Sequence, residues 1–405
     1  MSDPRSIDRH PWGVFLVFLR LGLTSFGGPV AHLGYFRDEL VTRRRWLSEQ
    51  GYADLVGLCQ FLPGPASSQV GIALGLCRAG YAGAVAAWAG FTAPSAVAMM
   101  LFAKGIAHYS EAIPVGALHG LKVVAVAVVA QALWGMARNL CPDAARISLM
   151  VLVACVALWV SSAFGQVLSM ALAAAIGMLF LTPAVHEPRE PLPLALRRSA
   201  GMTWLMLFVL MLGGLPLLVT VYPEPALVVF DAFFRVGSLV FGGGHVVLPL
   251  LQAQVVSTGW VGNDAFLAGY GAAQAMPGPL FTFAAFLGAS INLTAGGWTG
   301  GLLGLLAIFA PSFLLVMGVL PFWETLRQNR RMQAALMGIN AAVVGLLLAA
   351  LYDPVWTGAI HEPQDLAMAV LALAALMFWK LPPWLVVVGC GGGGWILASV
   401  QSVAL

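Results

Sequence analysis

Apolar residues run along this chain in stretches too long and too continuous for a soluble helix, which carries its apolar positions on one face only. Ile147–Val160, Trp204–Val221 and Met332–Leu351 are examples, and runs of this kind suit helices that cross about 30 Å of hydrocarbon. Composition sharpens the pattern. Of 405 residues, 60% are hydrophobic and 9% charged, against roughly 25% charged in an ordinary soluble domain. The expected class is an all-α polytopic membrane protein in a lipid bilayer. The polar start MSDPRSIDRHPW is followed by no small-residue cleavage site, so no removed signal peptide is expected.

A repeat organises the apolar runs. Phe18–His32 (FLRLGLTSFGGPVAH) is echoed by Phe233–Val247 (FFRVGSLVFGGGHVV). The landmarks continue in order, with Trp46/Trp260, Gln60/Gln274, Pro63-Gly64-Pro65/Pro277-Gly278-Pro279, Gly83/Gly300, Pro94-Ser95/Pro311-Ser312 and Gly120-Leu121-Lys122/Gly338-Ile339-Asn340. This divides the chain into a first repeat at 1–185, a linker with an extra span at 186–222, and a second repeat at 223–405.

Loop charge alternates between the halves. Arg43-Arg44-Arg45 follows the first motif, whereas no base lies between Gln252 and Asp264. The next connection has Lys104 in half one and Arg327, Arg330 and Arg331 in half two. The third has Arg138 and Arg146 in half one and the acidic, base-free Asp353–Asp365 in half two. Lys and Arg collect on the cytoplasmic side, so equivalent loops face opposite ways and the repeats are inverted. Thr203–Val221 supplies the odd crossing, the linker His186–Ser199 is cytoplasmic, and Arg45 and Gly259 fall on opposite faces.

Phe26-Gly27-Gly28-Pro29 and Pro63-Gly64-Pro65 interrupt apolar segments, and proline and glycine should break the helices there. Broken backbone is tolerated at membrane depth only inside protein or along a cavity. Each break exposes a half-helix N-terminus with free N–H groups, a ready anion site. The expected fold therefore brings broken or re-entrant helices from two inverted-topology repeats to a central anion site. Its candidate residues are Ser25, Gly27, Gly28, Gln60, Gly64, Gly242, Gly243, Gln274 and Gly278. Buried charge adds Arg20 and Arg235, each six residues before a Phe-Gly-Gly motif, and Lys122 with its mate Asn340. A charge at such depth costs at least ~2.5 kcal/mol, and Asp54 and Asp231 are the acids expected to be buried. His32 and His245 follow the glycines and can carry a proton near neutral pH. Ser67, Ser68 and Gln69 answer Leu280, Phe281 and Thr282 in half two, so the first half is expected to supply more groups for an oxyanion.

Carried by Phe26-Gly27-Gly28-Pro29-Val30-Ala31-His32, Pro63-Gly64-Pro65 with Gln69, Phe241-Gly242-Gly243-Gly244 leading to Pro249-Leu250-Leu251, and Pro277-Gly278-Pro279, the chain resembles the long, two-domain chromate ion transporters over essentially its full length. The resemblance implies export of chromate from the bacterial cytoplasm through the inner membrane, driven by membrane potential or proton gradient, with chromate resistance as the outcome. It also implies competition by sulfate. Uptake or exchange of sulfate or another oxyanion, and an anion channel, are the alternatives.

Other classes find no support. No Gly-Lys-Ser/Thr phosphate loop, Gly-x-Ser-x-Gly elbow or His-Glu-x-x-His motif occurs, so neither a nucleotide-driven pump nor an enzyme is expected. Five cysteines, none two residues from another, encode neither a disulfide framework nor a metal cage, and no cofactor is expected. A net charge of +3 does not imply nucleic-acid binding. Glycine-rich Gly296–Gly304 and Gly389–Gly394 allow close helix contact within a subunit or between two copies of a homodimer.

Overall fold

The computed structural model describes residues 10–108, 114–160, 163–183, 197–241, 246–291 and 296–404, and all its regular structure is helical. Gly242, Gly243 and His245 lie outside the described residues. In the first half, α1 (Pro11–Thr24), α2 (Gly28–Phe36), α3 (Glu49–Phe61), α4 (Ala66–His108), α5 (Val115–Leu140), α6 (Ala144–Trp159) and α7 (Ala163–Phe180) follow in order. Helix α8 (Arg198–Val221) links them to α9 (Pro225–Leu239), α10 (Val247–Val255), α11 (Asn263–Ala275), α12 (Phe283–Ser290) and α13 (Gly297–Val319). The short α14 (Trp323–Arg327), then α15 (Arg330–Ala350), α16 (Pro363–Met377) and α17 (Pro383–Ala404), complete the chain.

Local sequence sets these boundaries. Proline opens α1, α9 and α16 at the position where its missing N–H costs nothing. The side chains of Ser48, Asp143 and Asn329 cap α3, α6 and α15 by accepting from backbone N–H groups. Five described helices are long and apolar enough to cross a bilayer, but α4 is not one rod. Its backbone leaves helical geometry at Ala79 and Gly80. Gly75 then lies against the Gly83 carbonyl, although eight residues of straight helix would separate them by about 12 Å. The chain reverses there, leaving a short limb (66–78) and a crossing limb (81–108).

The motif breaks reverse the chain too. Phe18 on α1 meets Phe36 at the end of α2 edge-on at 5.5 Å, so α2 returns along α1. Tyr270 on α11 meets Phe283 on α12 at 5.7 Å, and Gly269 abuts the Phe286 ring. The described motifs are thus tips of re-entrant hairpins, entering and leaving by the same face.

The two halves enter from opposite faces. Arg78 stacks over Trp46 at 5.3 Å, and Trp204 at the start of α8 bonds Tyr81 at 3.3 Å, which puts the hairpin bases of half one on one face. Lys104 at the end of α4 lies over Trp298 at the start of α13 at 5.6 Å, which puts a base of half two on the other. Following the helices, Arg37, Arg43, Arg44, Arg45, Arg78, Arg138, Arg146, Arg197, Arg198, Arg330, Arg331 and Lys380 gather towards the first face. Lys104 and Lys122 lie towards the second.

The halves also interlock. Gly120 on α5 lies against the Cys390 carbonyl on α17, and its mate Gly338 on α15 against the Ala173 carbonyl on α7. Each long helix is clasped by the last hairpin of the other half, at backbone contact that only glycine permits. The glycine stripes serve such contacts within the chain: Gly394 meets Gly116, and Gly301 meets Met100. Large apolar side chains of α6, α8, α16 and α17, among them Trp159, Leu210, Leu371 and Trp395, point outward, as a lipid-facing surface requires.

Candidate functional site

At the centre, the two Pro-Gly-Pro tips are joined to the ends of α1 and α9 by two crossed hydrogen bonds. The N–H of Gly64, in the Pro-Gly-Pro tip of half one, donates to the Val240 carbonyl at the end of α9 (2.6 Å). The N–H of Gly278, its mate, donates to the Ser25 carbonyl at the end of α1 (2.9 Å). Each Pro-Gly-Pro therefore closes onto the first hairpin of the opposite half. Both glycines have left-handed backbone, φ +122 and +94, which residues with a Cβ seldom adopt. Their neighbours correspond as well. A Cβ on Gly64 would meet the Gln69 amide and the Ser312 hydroxyl, and one on Gly278 the Phe91 carbonyl and the Ser95 hydroxyl.

A cavity of about 50 Å³ opens beside the Gly278 tip, bounded by Gly27, Gly28, Gln131, Gln274, Gly278 and Leu280. This is room for a few waters or one small anion. Helix α2 begins at its edge with no side-chain cap, and the turn Leu280–Thr282 that leads into α12 begins at another edge. Two helix starts thus present positive dipole ends to one small space. The Gln274 side-chain nitrogen is buried, with the Tyr270 hydroxyl one helical turn before it as its neighbour. Among the described residues, no charged side chain lines the cavity. Backbone dipoles and carboxamides can hold an anion by N–H donation, without the desolvation of a buried cation.

A second polar cluster surrounds the Gly64 tip. Ser25, His32, Ser67, Ser68, Gln69 and Ser312 are all buried. His32 shares a hydrogen bond of 3.3 Å with Ser67, and Gln69 donates to the Pro63 carbonyl at 2.6 Å. The hydroxyls of Ser25, Ser68 and Ser312 and the Gln69 carbonyl oxygen have no partner. Thr282 in half two instead donates to its own Pro279 carbonyl at 2.9 Å.

Of the residues singled out in the sequence, Gly27, Gly28, Gln274 and Gly278 share the cavity, and Ser25, His32, Gly64, Ser67, Ser68 and Gln69 form the neighbouring cluster. Four lie elsewhere. Arg20 is exposed on the outward stripe of Trp12, Leu16 and Leu23, because helical spacing puts position 20 on that face. Arg235 bonds Asp231 at 2.7 Å; half one has Leu16 at the position of that acid. Lys122 bonds Asp264 at 3.0 Å near the second face. Gln60 is exposed. Asn340 is half-buried on α15. Asp54 and Asp231 are both buried, as expected. Gln131, Ser95 and Ser312 were not picked out as site residues. Gln131 is the only strongly polar side chain between Lys122 and Trp134, a signal that could have found it, and the repeated Pro-Ser marks the two serines.

Comparison with known proteins matches one family model, described as chromate transporter, to this chain twice, at residues 12–178 and 227–395. A chromate transport protein of Pseudomonas aeruginosa is 28% identical over 397 residues, covering 96% of this chain and 92% of that protein. An uncharacterised transporter of Methanocaldococcus jannaschii is 26% identical over 346 residues, 83% of this chain and 82% of its own. An uncharacterised transporter of Bacillus subtilis is 30% identical over 173 residues, which cover 42% of this chain and 95% of that protein. No solved structure matches.

Proposed function

Because the chain belongs to the chromate transporter family, we propose that it exports chromate across a bacterial inner membrane as a secondary carrier and so confers resistance. The cavity between the crossed tips is the observation that carries this reading. It offers two helix starts and the buried Gln274 amide to a small anion, at the contact between inverted halves where alternating access operates. The face rich in arginine is cytoplasmic. A dianion leaving a negative interior needs no nucleotide, since one charge across 100 mV is worth ~2.3 kcal/mol and two charges double it. Sulfate has the same shape and charge, and competes.

The cavity and the serine cluster are two parts of one path through the tips, with Gly64 and Gly278 as its paired constrictions. The serines hand the oxyanion between free hydroxyls. Replacing Ser67 and Ser68 together by alanine should lower transport about tenfold, the worth of roughly one hydrogen bond to a charged group. Thr282→Val should cost much less, because that hydroxyl is already satisfied by Pro279. Equal losses would show that the serines do not meet the cargo.

Labelled chromate should accumulate, chemically unchanged, in everted vesicles that hold the protein. Collapse of the membrane potential and excess sulfate should each reduce it, and preloaded unlabelled chromate should accelerate entry by counterflow. Flux with no counterflow would mean a channel, and no flux above empty vesicles would remove chromate as cargo.

A further inference from the structure

The second face holds a vestibule of about 570 Å³, lined by His119 and Lys122 of α5, Asp264 of α11, and His361, Glu362 and Asp365 at the start of α16. Two ion pairs cross it. His119 Nε2 lies 2.7 Å from an Asp365 carboxylate oxygen, and Lys122 Nζ lies 3.0 Å from Asp264. His119 and Lys122 are three residues apart, so they project from one side of α5. They tie this helix of half one to two helices of half two. The other Asp365 oxygen accepts from the backbone N–H groups of His361 and Glu362 (3.0 Å each), which fixes the carboxylate.

The corresponding place on the first face carries different residues. On α15 the mates of His119 and Lys122 are Met337 and Asn340, and the mate of Asp264 on α3 is Gln50. At the start of α6, Asp143 bonds Arg146 of its own helix at 2.6 Å, and that bond holds its carboxyl below the usual carboxylate range. Among the described residues, these two ion pairs fasten the inverted halves to each other at the second face, and one of the two contains an imidazole.

We propose that His119 and Asp365 form a proton-binding site that latches the second face shut. Protonated, His119 makes a charge-assisted bond to the fixed carboxylate; neutral, it makes an ordinary one of roughly half the strength. Imidazoles change state between pH 5 and 8, so acid on that face closes the vestibule and alkali frees α5 from α16. Among the described residues, the other charged or titratable groups facing His119 are Lys122 and Asp264, His361 (rings stacked at 6.1 Å) and Glu362. Among the described residues that line the vestibule, α4 adds only Ile106. The alternating-access part of this inference rests on the transporter reading above; the latch itself does not need the cargo.

Spin labels at Leu118→Cys and Leu366→Cys, in the full chain with its five native cysteines replaced by alanine, report the α5 to α16 distance without any oxyanion present. Between pH 5.5 and 8 a second, longer distance should grow until it holds at least half of the molecules. In His119→Gln, which keeps a neutral hydrogen bond, the distribution should not respond to pH; in His361→Gln it should respond as in the parent. A parent with no pH response, or a response that survives His119→Gln or vanishes with His361→Gln, overturns the latch. Vesicle transport measured alongside separates the two claims, since a chain that moves no chromate can still show the latch, and one that moves it can lack it.

Discussion

Gly278→Ala should abolish transport while leaving a folded, extractable protein. Left-handed backbone at a residue with a Cβ costs roughly 1–2 kcal/mol. The added methyl would also sit 3.0 Å from both the Phe91 carbonyl and the Ser95 hydroxyl, and the carbonyl, being main chain, cannot turn away. Strain of about 3 kcal/mol on the tip would lower the weight of the crossed arrangement on the order of a hundredfold, taking 1.4 kcal/mol per factor of ten. Gly64→Ala meets only the ends of two side chains, the Gln69 amide and the Ser312 hydroxyl, which can rotate, so its loss should be smaller. Gly80→Ala is the control. Its φ is +63 and nothing lies within 4 Å of the added atom, at a hairpin base rather than a tip. Vesicle uptake beside a thermal melt of the purified protein ranks the three. If Gly80→Ala harms transport as much as Gly278→Ala, left-handed strain anywhere suffices and the tips hold no special place.

The same contrast explains what the sequence could reveal. A chain reversal inside an apolar segment demands particular residues at particular positions, so Phe-Gly-Gly and Pro-Gly-Pro announce the four tips before any fold is known. Loop charge similarly announces that the halves are inverted, and the arginines do gather on one face. Which tip meets which is a different matter. The bonds from Gly64 to Val240 and from Gly278 to Ser25 depend on how whole halves dock, and no local spacing encodes them. Charge misled for the same reason. Arg20 and Lys122 stand out in apolar surroundings, yet one is turned outward by helical spacing and the other is held by an aspartate 142 residues away. Sequence flags a costly residue but not its direction.

Because no described residue lining the cavity is a cation, its affinity should depend heavily on one amide. Gln274 brings a buried N–H donor there, and a hydrogen bond to a charged group contributes about 1.5–3 kcal/mol. Gln274→Leu is similar in size and removes the donor, so half-saturation for chromate should rise between roughly tenfold and a hundredfold, with the maximal rate less affected. Gln274→Glu should do worse, since a carboxylate at this depth would repel the anion and face two helix starts already suited to a negative group. Gln131→Leu removes a side chain that also donates to the Leu376 carbonyl at 3.4 Å, and its effect should be the smallest of the three. Concentration series in vesicles for the three variants give the order Glu, Leu, then the Gln131 change. An unchanged half-saturation in Gln274→Leu would place the anion elsewhere, and the serine cluster around Gly64 would then be where it binds.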